Sequence, residues 1–100
     1  MIENIYKMQG KVVQYPGMGA WHFISVPKKQ SDRIKSVFGA MKRGFGSLRV
    51  IATVGKSKWK TSIFPDNNAE VYLLPLKAEV RKKEKVKDGD VVSITLEILL

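Results

Sequence analysis

The chain has 100 residues, 44% of them hydrophobic, which suits one domain that buries about two thirds of its unfolded surface around a single core. It has no cysteine, so disulfides, thiolate metal sites and cysteine nucleophiles are excluded, and stability rests on packing. The balance of 18 Lys+Arg against 9 Asp+Glu gives a net charge of +9, a bias that favours anionic partners where it is localised and otherwise serves solubility.

Met1 is followed by Ile2-Glu3-Asn4 and not by a basic segment and a long apolar run. No stretch approaches the roughly 18 apolar residues of a membrane helix, so the expected location is cytoplasmic. The β-formers Ile5, Tyr6, Val12, Val13 and Tyr15 predict a long strand over Ile2 to Tyr15, with a bulge near Gly10. Pro16-Gly17-Met18-Gly19 supplies a turn, and Trp21 to Val26 predicts a second strand stopped by Pro27, paired with the first as a hairpin.

A helix is expected next, with Ser31 as N-cap and Asp32 in its first turn. Ile34, Val37, Phe38 and Met41 fall at the i, i+3, i+4, i+7 spacing of one buried face. Lys42 and Arg43 suit its C-terminus, and Gly44 its stop. Leu48 to Val54 predicts a strand, Gly55 to Lys58 a hairpin loop and Trp59 to Phe64 the return strand. Alternation on that strand puts Trp59, Thr61 and Ile63 on one face and Lys58, Lys60 and Ser62 on the other. The indole and its neighbouring lysines therefore cannot grip one ligand from a regular surface.

Pro65 to Asn68 reads as a turn and Val71 to Leu74 as a short strand, after which Pro75 opens a short helix over Lys77 to Lys83. Asp88-Gly89-Asp90 turns into a last strand in which Val92, Ile94, Leu96 and Ile98 share a face. The whole is mainly β: a small antiparallel barrel with one or two short helices, an open α+β sheet being the rival.

The blocks "WHFISVP", "KRGFGSLRV", "VGKSKWKTSIFPD" and "VYLLPLKAEVRKKEKVKDGDVVSITLEI" closely resemble, in order and over nearly the whole chain, the small-barrel family called domain of unknown function nineteen-oh-five. Phe45 stands where that family favours tryptophan, and Asn67-Asn68-Ala69 where its turn is glycine-rich. The resemblance implies a six- or seven-stranded barrel of double-split type, related to those of swapped-hairpin transcription factors and antitoxins. It implies no activity, substrate or catalytic residue, and kinship of barrel type is a weak warrant for DNA binding.

The inventory of reactive groups argues against an enzyme. His22 is the one histidine, it lies between aromatic residues, and nothing in the sequence identifies a group to orient it as a base. No His/Cys cluster offers a metal site, and no cofactor is implied. Asp88 and Asp90 read as turn residues that cap backbone amides.

Binding is the better-supported class. Residues 28–60 carry Lys28, Lys29, Arg33, Lys35, Lys42, Arg43, Arg49, Lys56, Lys58 and Lys60 against Asp32 alone. The glycines of "KRGFGSLR" follow a helix, whereas phosphate loops precede one, so any anion site here uses side chains. Lys42, Arg43, Arg49, Lys58 and Lys60 are the candidates for nucleic acid or another anionic partner, with Phe45 as a stacking ring. Alternatively, Trp21, Phe45 or Tyr72 with Arg81 would line a small-ligand mouth. A homodimer through the terminal strand as an unpaired edge is a further expectation.

Overall fold

The computed structural model of the chain describes residues 3–15, 21–42 and 44–100; the Phe45 side chain also lies outside that description. Six strands, β1 (Ile5–Gln14), β2 (His22–Ser25), β3 (Leu48–Val54), β4 (Ser57–Asp66), β5 (Val71–Pro75) and β6 (Val91–Ile98), form a closed barrel in the order β1-β2-β5-β4-β3-β6. Every pairing is antiparallel. The helices are α1 (Lys28–Phe38) and α2 (Ala78–Glu84), with short 3₁₀ turns at Gly39–Met41 and Gly44–Gly46.

Alternation along each strand fills the interior with Val12, Ile24, Val50, Ala52, Ile63, Leu74, Leu96 and Ile98, all essentially inaccessible. The barrel is thus packed and not hollow, as small barrels are. One helix covers each end. Ile34 and Phe38 of α1 enter the core, where Phe38 meets the edge of Tyr6, and Val80 of α2 does the same at the other end.

No bulge interrupts β1, because Gly10 pairs in register with Val92. The missing side chain answers to close approach instead: a Cβ there would lie 2.5 Å from Ile24 Cγ2 and 2.7 Å from the Ser25 carbonyl oxygen. The β1–β2 hairpin forms as expected, while its turn, Pro16 to Gly19, lies outside the described residues.

The first helix begins at Lys28, directly after Pro27, so Ser31 is a buried interior residue and not the N-cap. Its hydroxyl donates to the Val26 carbonyl and accepts from the Tyr72 N–H, tying α1 to β5 and to the residue that follows β2. Val37 and Met41 are 46% and 47% exposed, and α1 ends at Phe38, short of Lys42. The barrel end offers packing to Ile34 and Phe38 only, and helices persist where their faces are packed.

Proline does not end β4, which runs on through Pro65 to Asp66. Tyr72, opposite Pro65, turns its carbonyl to the Val26 N–H and its own N–H to Ser31. Both groups point away from β4, so Pro65 sits in a non-hydrogen-bonded pair and removes no bond to β5. On its other flank, β3 has already finished its ladder at Leu48, opposite Ile63. In the turn that follows, Glu70 takes a left-handed φ of 56°, a conformation glycine adopts without strain.

Pro75 closes β5 and does not open the second helix. The Leu76 N–H still bonds the His22 carbonyl, which keeps the chain extended until Lys77. Asp88 and Asp90 act as turn caps, accepting from the Gln14 and Lys87 amides. The terminal strand β6 is flanked by β1 on one side and β3 on the other, so the expected unpaired edge is absent.

Candidate functional site

The residues that point outward from β3 and β4 are fixed by one register. Arg49 faces Ser62, Ile51 faces Lys60, and Thr53 faces Lys58. Across β6, Ile51 lies beside Glu97 and Thr53 beside Thr95; across β1, Thr95 lies beside Lys7 and Val91 beside Lys11. One row around the barrel therefore reads Lys58-Thr53-Thr95-Lys7, and the next reads Lys60-Ile51-Glu97-Ile5. Lys7, Lys11, Arg49, Lys58 and Lys60 are all exposed, but β1 stands opposite β4 in the closed ring of six strands, so Lys7 and Lys11 face away from Lys58 and Lys60.

Glu97 is the acid in the second of these rows. The ion pairs found among the described residues both belong to Lys28, with Asp32 and Glu70, so none of these five cations is neutralised by a contact within that set. The alternation Ile5, Lys7, Gln9, Lys11 signals a shared outward face on β1, but the closed order sets that strand three places from β4, so Lys7 and Lys11 do not join Lys58 and Lys60.

The stretch 28–60 does not form one surface. Lys28, Lys29, Arg33 and Lys35 belong to α1. Lys42 is exposed on the segment between the two 3₁₀ turns, and Arg43 lies outside the described residues, as does the Phe45 side chain. Of the anion candidates, the sheet brings together Arg49, Lys58 and Lys60.

Tyr72 and Arg81 do not share a mouth. Tyr72 is buried, with burial pushing its phenol pKa up, and it borders a cleft of about 330 Å³ with Lys28, Asp32 and Glu70 beside α1. Arg81 borders a separate cleft of about 460 Å³ with Trp21, Pro75 and Leu76 beside α2. His22 is buried on β2. Among the described residues, no group of three or more His, Asp or Glu side chains is placed to hold a metal ion, and no helix is long and apolar enough to cross a membrane.

A third cleft lies between the β3–β4 turn and α2. It has a volume of about 340 Å³ and is bordered by Lys56, Ser57, Lys58, Trp59, Glu79, Val80 and Lys83. Trp59 points to the core side of β4 and is half-buried against it, as the alternation requires. At this end of the barrel, however, the sheet surface gives way to an edge, and Lys58 and Trp59 border the same cleft. Glu84 fixes the rim by accepting from Ser57 Oγ at 2.6 Å and from the Lys56 N–H at 3.4 Å. The Ser57 bond, ahead of the Lys56 amide, holds the Glu84 carboxyl below its ordinary pKa.

Among curated proteins, none matches the chain. A family model described as "Domain of unknown function (DUF1905)" matches residues 9–96, a span that takes in all six strands in whole or in large part. With the closed six-stranded antiparallel barrel beside that match, the chain belongs to the DUF1905 family.

Proposed function

We propose that this domain is a non-enzymatic binding module whose basic outer face receives an anionic partner. The observation that carries the reading is the strand register, which gathers Arg49, Lys58 and Lys60 on the outward face of the adjacent strands β3 and β4. Residues two apart on a strand stand about 6.6 Å from each other. That is within the screening length of about 8 Å at physiological salt, so the cations act as one field. The filled interior supports a surface site over a ligand held inside the barrel.

The test is a salt titration of polyanion binding by the wild type and by the Arg49→Ala, Lys58→Ala, Lys60→Ala triple variant. Each lost phosphate contact should flatten the slope of log K against log salt by about 0.7 to 0.9, so the variant should lose about two units or more. A wild type that binds no polyanion at low salt, or a variant with an unchanged slope, overturns the reading.

A further inference from the structure

We propose that the cleft between the β3–β4 turn and α2 receives one unstacked base of a single-stranded nucleic acid, with Trp59 as its platform. The proposal deepens the reading of the basic face and rests on it. Lys58 belongs to both surfaces, standing in the outer row opposite Thr53 and bordering the cleft. A strand tracking Lys60 and Lys58 along β4 therefore arrives at the cleft rim, where Lys56 and Lys83 continue the positive charge.

What the cleft offers inside is different. The Trp59 Nε1 is buried and has no hydrogen-bond partner among the described residues, so the part of the ring left at the surface is carbon. With the largely buried Val80 it supplies the apolar part of a lining that is otherwise polar or charged. Stacking on such a ring is open to every base, because each has a π-face. Glu79 also borders the cleft and would repel a phosphate placed within it. The charges of the partner thus belong on the lysine rim and its uncharged ring in the interior.

Size and rigidity agree with this division. A volume of about 340 Å³ lies at the small end of ligand clefts, about 300 to 1,000 Å³, enough for one planar group. The Glu84 bonds to Ser57 and Lys56 hold the turn against α2 before any partner arrives, which lowers the ordering cost of binding. A duplex would first have to unstack a base to use the cleft; a single strand presents one freely.

The experiment uses the Trp21→Phe variant. Trp21 is 56% exposed, and its replacement leaves Trp59 as the remaining tryptophan of two. Oligothymidylate should bind and quench Trp59 emission. An abasic strand of the same length should bind about fivefold or more weakly, without quenching, and duplex DNA should bind without quenching. Lys56→Ala with Lys83→Ala, both at exposed positions, should weaken the single strand more than the duplex.

Equal affinity for intact and abasic strands, or binding of the single strand with unchanged Trp59 emission, overturns the cleft proposal while the basic face stands. Quenching by polyglutamate and not by oligothymidylate also overturns it, in favour of an acidic polypeptide. If no polyanion binds at all, both readings fall.

Discussion

Gly10 illustrates how tightly neighbouring strands are set against one another. Its missing Cβ makes room for a side-chain carbon of Ile24 and for the Ser25 carbonyl oxygen. Ile24 can shift by a small rotation, but the carbonyl belongs to the backbone of β2 and cannot move without its ladder. Gly10→Ala should therefore destabilise the fold by about 1–3 kcal/mol, the usual cost of overpacking. Urea unfolding reads this as a lowered midpoint with an unchanged slope; a midpoint equal to wild type contradicts the account. The same residue shows a limit of sequence reading. A glycine among β-formers signals an exception, but a bulge and a close crossing look alike until the partner strand is known. Ser31 has the same ambiguity, since its hydroxyl serves a helix cap or a tertiary bond equally well.

At the scale of elements, α2 depends on its surroundings. Ala78–Glu84 is seven residues long, well below the roughly 12–15 at which an isolated helix becomes even marginal in water. Val80 anchors it in the core and Glu84 ties it to Ser57 and the Lys56 amide. Because the folded pKa of Glu84 lies below its ordinary value, its stabilising contribution is fully present above the unfolded glutamate pKa, about 4.3. It is lost as pH falls through the lower folded value. Glu84→Gln should accordingly flatten the acid limb of the stability profile, measured by denaturant unfolding between pH 3 and pH 6 (the range set by the glutamate pKa of about 4.3). An acid limb identical to that of wild type would refute the link. Strands β3 and β6 were legible from alternation of β-branched and polar residues, whereas β4 was cut short at Pro65. A proline read alone says strand end; its tolerance here depends on which way Tyr72 turns its polar groups.

For the whole molecule, the barrel class and its two helices were legible, because local periodicity sets strand number and face. The grouping of cations was half legible. Arg49, Lys58 and Lys60 sit on neighbouring strands of one hairpin, but Lys28, Lys29, Arg33 and Lys35, close to them in sequence, leave the sheet on α1. A molecule-wide property also governs the alkaline range. Tyr6, Tyr15 and Tyr72 all have pKa values raised above 10.0, in each case chiefly by burial, with the Tyr15 bond to Asp66 adding to the shift. A phenol whose folded pKa is raised gives stability that is complete below the unfolded pKa and is lost as pH rises through the folded one. Stability should thus hold up to about pH 10 and fall above it. Ultraviolet titration should show tyrosinate forming later in the native protein than in urea; coincident curves would contradict the assignment.

Closure of the barrel has a consequence for how it is made. Residues 5–11 find their partners at 91–97, so a chain emerging from the ribosome carries β1 with one flank open until β6 has been synthesised. Contacts so distant in sequence also slow the folding search. Nascent chains of this protein are therefore most exposed to strand-mediated aggregation before Val91–Ile98 arrives, a hazard that the finished ring no longer has.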